Sequence, residues 1–366
     1  MDRLSRGGSL YVDGDPAFCS ELDYRAGACA GVKQWNRLVR LSPNDVVLIG
    51  VFDETDRCSR SPLLTWVVGD PGRVRGAAIV LIGDGHGPWA SRLPGLAKAD
   101  RIASSFYLLD TRMPMGASGA DETVRRAATI ATTFMLQGEM FAAASRIGKT
   151  MAMLASVHEP GGMAFDDRIR GSIFLETAPI EPIPPGTISE AYVAACREQV
   201  GISASIEQDS SVRQAAMRMA ACTMRGGTIM VVSGGHLDFN GLELPRELMP
   251  WFFYGKPWEW KAPCGLNRGD LLLYLGYIKP PVEEVHAALA IGAEAVVISL
   301  EQMEPDQRLS QIRTTWRPWD GCVSVAGYPH RILPTSGVVT TPLVASLLDE
   351  ARAAVVRQRS LVPARH

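Results

Sequence analysis

Gly226-Gly227-Thr228-Ile229-Met230-Val231 says again what Gly7-Gly8-Ser9-Leu10-Tyr11-Val12 says near the start of the chain. Each stretch is a glycine pair that runs into an apolar strand and then an Asp/Gly/Ser turn. Each then reaches a Glu-Leu pair, Glu21-Leu22 in one and Glu243-Leu244 in the other. A turn ending in Asp follows ahead of an apolar run: Pro43-Asn44-Asp45-Val46-Val47-Leu48-Ile49 against Arg268-Gly269-Asp270-Leu271-Leu272-Leu273-Tyr274. Gly76-Ala77-Ala78-Ile79-Val80-Leu81-Ile82 and Gly292-Ala293-Glu294-Ala295-Val296-Val297-Ile298 close the two series. The second copy trails the first by 219 residues at the first strand (7 to 226), 225 at the second (45 to 270) and 216 at the third (76 to 292). Such even spacing predicts two copies of one α/β unit. A doubled sheet would place two equivalent crevices in the molecule.

The apolar runs are continuous rather than alternating, as strands covered on both faces require, so parallel sheets between helices are expected. The fold class read from these patterns is two tandem three-layer αβα, flavodoxin-like domains. At 366 residues the chain exceeds what one hydrophobic core organises. The prolines of Thr177-Ala178-Pro179-Ile180-Glu181-Pro182-Ile183-Pro184-Pro185-Gly186-Thr187 mark a linker. The expected boundaries are therefore 1–176, a linker over 177–187, and 188–366. Helical spacing predicts helices over 17–30, 121–155, 211–225 and 282–291, and a last helix from Thr340 to about Arg359. The second copy has a helix before its first strand, whereas the first copy starts at the strand. Residues 189–200 could supply the missing helix, or the chain could be short at its N-terminus.

Composition narrows the function. A hydrophobic content of 46% with 21% charged residues is that of an ordinary globular protein. A net charge of −2 argues against nucleic acid or an anionic membrane as partner. No stretch approaches the roughly 18 apolar residues of a membrane span. The start, Met1-Asp2-Arg3-Leu4-Ser5-Arg6-Gly7, has no apolar leader, and a cytoplasmic location is expected. The seven cysteines are scattered and form no Cys-x-x-Cys pair, so they read as reduced thiols.

With a Gly-Ala strand about 30 residues on, Leu41-Ser42-Pro43-Asn44-Asp45-Val46-Val47-Leu48-Ile49-Gly50-Val51 resembles the core of the sugar isomerase (SIS) domain family. So does Gly226-Gly227-Thr228-Ile229-Met230-Val231-Val232-Ser233-Gly234-Gly235-His236 with Gly269-Asp270-Leu271-Leu272-Leu273 after it. The resemblance spans most of both halves and is cleaner in the second. It implies a flavodoxin-like parallel sheet in each half, a tandem arrangement, and a phosphosugar site at the strand C-terminal ends, where doubly wound sheets place ligands. The family includes aldose–ketose isomerases, sugar-phosphate-binding regulators, lyases and transferases.

The chain departs from the family at the loop that grips phosphate. In place of hydroxyl-rich residues the first copy has Val51-Phe52-Asp53-Glu54-Thr55-Asp56, and the second has Gly276-Tyr277-Ile278-Lys279-Pro280-Pro281. A close like-charge pair costs roughly 4 kcal/mol at an effective dielectric of about 20. Proline removes N–H donors that a phosphate cradle needs. An unphosphorylated sugar or polyol, or a cationic group facing Asp53, Glu54 and Thr55, suits these loops better.

Moving a proton between adjacent carbons needs a base, and opening a sugar ring usually needs a second group. The resemblance points to Glu21, in Glu-Leu-Asp-Tyr-Arg-Ala-Gly with Arg25, and to Glu243 and Glu247 beside Arg246 in the second copy. The bland alternative is a solvated helix face with an i,i+4 pair. His236, after Ser233-Gly234-Gly235 at a strand end, is the leading candidate to polarise a carbonyl. His330, ahead of the last helix, is another, and His86 a weaker one. Asp13 and Gly14, at the end of the first strand, and Ser336, in the turn before the last helix, complete the expected binding residues.

Three motifs fail on inspection. Gly148-Lys149-Thr150 lacks the upstream glycine of a phosphate loop. Asp13-Gly14-Asp15 lacks the further ligands of a calcium loop. Asp84, His86, Asp166 and Asp167 offer no metal set with workable spacing. No metal and no cofactor are expected. The aromatic cluster Trp251, Phe252, Phe253, Tyr254, Trp258 and Trp260 reads as a subunit or interdomain contact rather than a sugar platform, and a homo-oligomer, dimer or tetramer, is expected. The reading is thus an isomerase using Glu/His proton transfer on a small, polar, sugar-like ligand. The alternative is a non-catalytic sugar (phosphate)-binding or regulatory module of the same fold.

Overall fold

The computed structural model describes residues 1–14, 16–22, 25–36, 38–50, 76–83, 105–111, 120–177, 179–204, 206–233, 248, 252–255, 265–276, 278–315 and 319–361. The chain forms two compact units: Met1–Arg197 with Trp319–Val338, and Glu198–Pro318 with Val339–His366.

The first unit is built from α1 (Asp2–Ser5), β1 (Leu10–Gly14), α2 (Pro16–Leu22), β2 (Val32–Gln34), β3 (Val46–Gly50), β4 (Ala78–Gly83), β5 (Ser105–Asp110), α3 (Ala120–Arg146) and α4 (Gly162–Ile169). Next comes α5 (Thr187–Ser203), which passes from the first unit into the second. The second unit contains α6 (Ile206–Met224), β6 (Ile229–Ser233), β7 (Phe252–Gly255), β8 (Leu271–Leu275), α7 (Val282–Ala290), β9 (Glu294–Ser299) and β10 (Leu309–Arg313). The hairpin β11 (Gly321–Val323) and β12 (Ile332–Pro334) returns to the first unit, and α8 (Ser336–Leu361) ends the described chain.

Strand order is β2-β1-β3-β4-β5 in one sheet and β7-β6-β8-β9-β10 in the other, and every pairing within them is parallel. Numbered within its own unit, each sheet reads 2-1-3-4-5, the flavodoxin-like doubly wound order. The registers match as well. Leu10 pairs with Val46 and Val46 with Ala78; Ile229 pairs with Leu271 and Leu271 with Glu294. These are the three landmarks whose spacing the sequence displays.

Asp45 and Asp270 hold the strand starts in the same way. Asp45 Oδ1 accepts the Ser9 N–H at 2.8 Å and its Oδ2 the Ser42 N–H at 2.6 Å. Asp270 accepts the N–H groups of Thr228 and Asn267, each at 2.7 Å. A carboxylate ahead of each central strand thus ties the glycine-led turn to the neighbouring loop.

In the second unit the pleat divides the core into two layers. Ile229, Val231, Leu271, Leu273, Val296 and Ile298 face α6 and α8, packing with Ala216, Met219 and Leu347. The intervening Met230, Val232, Leu272, Tyr274 and Val297 face α7 through Val285 and Leu289. This is a three-layer αβα sandwich. In the first unit Leu10, Val12, Leu48, Val80 and Ile82 pack on Ile130, Phe134 and Phe141 of α3, while Val47, Ile49, Ile79 and Leu81 on the other side are fully buried.

Several expectations shift. The helix expected over 17–30 is only α2, among the described residues. That expected to reach 155 ends at Arg146, because Gly148 takes a left-handed φ of 71° and the Lys149 N–H turns back to the Ala144 carbonyl. The proline-rich stretch 177–187 lies within the first unit, whose boundary falls at Arg197. It is stitched to α3: Ile183 N–H donates to Ser145 Oγ at 2.8 Å and Arg146 to the Ile183 carbonyl at 2.7 Å. Residues 189–200 belong to α5, which packs on α3. There Ser189 Oγ donates to Glu139 at 2.7 Å, and the Tyr192 ring meets Phe134 edge-on at 6.3 Å. Phe252, Phe253 and Tyr254 of the aromatic cluster lie on the edge strand β7.

Candidate functional site

A doubly wound sheet opens a crevice where consecutive connections leave in opposite directions, here between the C-terminal ends of β1 and β3. Asp13 and Gly14 pair with Ile49 and Gly50 at that edge. Gly14 has φ of 116°, and a Cβ there would collide with the Gly50 carbonyl; a Cβ on Gly50 would enter the Phe18 ring. The two glycines let α2 press its first turn against the strand ends. Asp13 is buried at this edge.

From the same helix comes Glu21. Its carboxylate is ion-paired with Arg25 Nη1, and its side chain is 13% exposed. Arg25 is only 1% exposed, a long cation sealed from water, which requires partners. Its Nη2 donates to Ser336 Oγ at 2.6 Å and lies 3.5 Å from Asp320 Oδ2, and its guanidinium sits over the Phe134 ring at 5.1 Å. The Ser336 hydroxyl in turn donates a hydrogen bond to Asp320 Oδ2 at 2.5 Å. Asp320 Oδ1 accepts the N–H groups of Thr335 and Ser336 at 3.0 and 2.8 Å, satisfying donors at the start of α8. Gly337 completes the packing, since a Cβ there would lie 2.6 Å from Glu21 Oε2.

The backbone is strained to make this arrangement. Trp319 and Asp320 adopt left-handed φ values of 71° and 60°. Such conformations cost about 1–3 kcal/mol each and persist where surrounding contacts dictate them. Tyr192 Oη donates to the Pro334 carbonyl at 2.9 Å beside the cluster. Burial holds its hydroxyl well above the ordinary value, and burial pushes the nearby Cys196 thiol up to about 11. Both stay neutral at physiological pH and add no charge next to Asp320.

Glu21, Arg25 and Ser336, expected as site residues from distant parts of the sequence, thus meet. Asp320, which the sequence reading missed, is the hub. Its only local signal is the Asp320-Gly321 turn dipeptide. The last helix, expected from Thr340, starts instead at Ser336 and carries Pro342 inside it, because the cap comes from Asp320 on a distant loop.

His330 joins a different group. Its Nδ1 lies 3.1 Å from Glu159 Oε2, and its ring packs against Phe165 at 4.5 Å. Asp166, next to it, accepts the Ala155 N–H at 2.7 Å, and burial raises its carboxyl above the ordinary range. Gly148-Lys149-Thr150 is a helix stop, with Lys149 Nζ over the Phe174 ring at 4.7 Å. In the second unit Ser233 ends β6 beside Leu275. His236, Glu243, Glu247, Gly234, Gly235, Arg246, Asp53, Glu54, Thr55 and His86 lie outside the described residues. Among the described residues no group of three or more His, Cys, Asp or Glu side chains gathers as a metal site, and no helix is long and apolar enough to cross a membrane.

No family model matches the chain, and no curated protein matches it in sequence. Solved structures do resemble it. An inferred phosphosugar isomerase from Silicibacter pomeroyi shares 13% identity, with 98% of this chain and 89% of that one covered and a TM-score of 0.41. A second inferred phosphosugar isomerase, from Clostridium difficile, shares 10% identity over 96% of this chain and 84% of that one, with a TM-score of 0.47. An inferred tagatose-6-phosphate ketose/aldose isomerase from Clostridium novyi shares 8% identity over 100% and 84%, with a TM-score of 0.46. At such identities the likeness concerns fold alone.

Proposed function

We propose that the first unit binds a small, polyhydroxylated, sugar-like metabolite without a phosphate group, and that Glu21 moves a proton between adjacent carbons in an aldose–ketose isomerisation. The observation that carries the reading is the meeting of Glu21, Arg25 and Ser336 at Asp320. A base must be aimed at the C–H bond it breaks. Arg25 aims Glu21 and is itself braced from behind by Ser336 and Asp320. In the step, Glu21 takes the proton from the carbon next to the carbonyl. The C–H electron pair forms the C=C bond of an enediolate, the proton of the neighbouring hydroxyl passes to the former carbonyl oxygen as the neighbouring oxygen becomes the new carbonyl, and Glu21 returns its proton to the former carbonyl carbon. Glu243 and Glu247 are the counterparts of Glu21 in the second unit, and His236 is the candidate for ring opening in that unit.

The second unit supports the preference for an unphosphorylated ligand. The helix that follows β8, Val282–Ala290, is preceded by Pro280-Pro281 and carries Glu283 and Glu284 in its first turn. The two prolines bring no N–H donors to the loop ahead of the helix, and two carboxylates stand in the turn where an anion would be bound. Matching strand order, register and Asp45/Asp270 bonding support descent of the two units from one by duplication.

A second reading has its own support. Arg25 and Asp320 are sealed from solvent, as a structural ion cluster would be, so the chain could bind a sugar without converting it. Thermal melts with free sugars, polyols and sugar phosphates, followed by NMR of the incubated compounds, test both. Ligands raise the midpoint because they bind only the folded state. The expected result is stabilisation and conversion of a free sugar, with Glu21→Gln binding it but converting it at least ~100-fold more slowly. Conversion of sugar phosphates only would contradict the ligand class. Binding without conversion would favour the non-catalytic module.

A further inference from the structure

Glycine weakens a helix relative to alanine, so a glycine inside one calls for a local reason. Gly138 of α3 has the common one, because a Cβ there would press into the side chains of Ile188 and Leu333. Gly337, the second residue of α8, has another. Its φ is not left-handed, so its backbone would accept alanine. The atoms nearest to an added Cβ are Glu21 Oε2 at 2.6 Å, Arg25 Nη1 at 2.9 Å and Glu21 Oε1 at 2.9 Å. All three belong to the ion pair of the candidate site.

The two partners differ in their freedom to yield. Arg25 is held by Ser336, Asp320 and the Phe134 ring, and its side chain is sealed from solvent. Glu21 keeps an exposed fraction, so displacement by a methyl group at 337 would fall on its carboxylate. The bare Cα also leaves that carboxylate beside the N-terminus of a 26-residue helix, whose dipole favours negative charge there. Asp320 caps the same helix end through the Thr335 and Ser336 N–H groups, and Glu21 takes the next place along it.

We propose that Gly337 is a positioning residue: its missing side chain is the seat that holds the Glu21 carboxylate against Arg25 and keeps it aimed for proton transfer. The aiming role rests on Glu21 as the base of the proposed isomerisation, whereas the seat does not. A misplacement of about 1 Å can cost roughly 100-fold in rate, so a single methyl group at this point is enough to matter.

Two measurements test the proposal. In thermal melts, Gly337→Ala should gain ~2 °C or more in a Glu21→Ala background, where the space is free and alanine favours the helix. In the wild-type background it should gain nothing, because Glu21 must leave Arg25; equal gains in both backgrounds would overturn the seat. With the stabilising free sugar, Gly337→Ala should lower kcat at least ~30-fold while KM stays within ~3-fold. Glu21→Asp, which draws the carboxylate back by one methylene, should slow the wild type yet recover at least ~5-fold in the Gly337→Ala variant. An unchanged kcat, or no recovery by Glu21→Asp, would overturn the aiming role. Wild-type protein that converts no sugar would remove the isomerisation and the aiming role with it, while unequal melts would still uphold the seat.

Discussion

Asp320 and Asp166 are both buried carboxylates of the first unit, and their surroundings set them different tasks. Asp320 has two backbone N–H groups, the Ser336 hydroxyl and the Arg25 guanidinium around it, so its charge organises the cluster. Asp166 has the Ala155 N–H, and burial outweighs it, raising the carboxyl from the ordinary 3.8. A carboxyl raised on folding binds its proton more tightly in the folded state. Its contribution favours the fold below pH 3.8 and becomes a cost as pH rises through the folded value. Asp166→Asn keeps an oxygen for Ala155 and removes that cost. Thermal melts should show the variant gaining on the parent at neutral pH, with the gain shrinking as pH falls towards 3.8 and below. A gain that ignores pH would contradict this account.

Elements repeat what single residues begin. Replacing Asp45 by Ala strips the acceptor from two backbone donors, and replacing Asp270 does the same in the other sheet; each donor so orphaned costs about 1–3 kcal/mol. Chemical denaturation should give the two variants similar losses, and Asn at either position should recover part. A large loss at one and none at the other would break the equivalence. The central strands were legible because they are buried on both faces and so spell continuous apolar runs. The edge strands were not. Val32-Lys33-Gln34 carries no such run, and β7 sits between Pro250 and Pro257. The site divided likewise. Glu21 and Arg25 stand four positions apart and were readable together, but Ser336 meets Arg25 from 311 positions away. Asp320 left no trace because its function comes from a tertiary cap on α8 and an ion pair, neither of which has a sequence period.

At the scale of the whole molecule the first unit is discontinuous, and this constrains how it can fold. Residues 319–338 give it the β11–β12 hairpin, with Val323, Tyr328, Ile332 and Leu333 in its core, and Asp320 and Ser336 in the candidate site. A fragment of residues 1–197 lacks these, and breaking a buried ion cluster costs about 3–5 kcal/mol. Near-UV circular dichroism and denaturant melts should find that fragment loosely packed. Joining 319–338 to it through a short linker should restore cooperative unfolding; a fragment that already melts cooperatively at the same midpoint would contradict this. The account rests most heavily on Glu21 as the residue that moves a proton. Incubation with the stabilising free sugar in deuterated water, followed by mass spectrometry, tests it directly. Wild-type protein should place solvent deuterium on the carbon next to the carbonyl and Glu21→Gln should not; equal uptake in both would remove Glu21 from the chemistry.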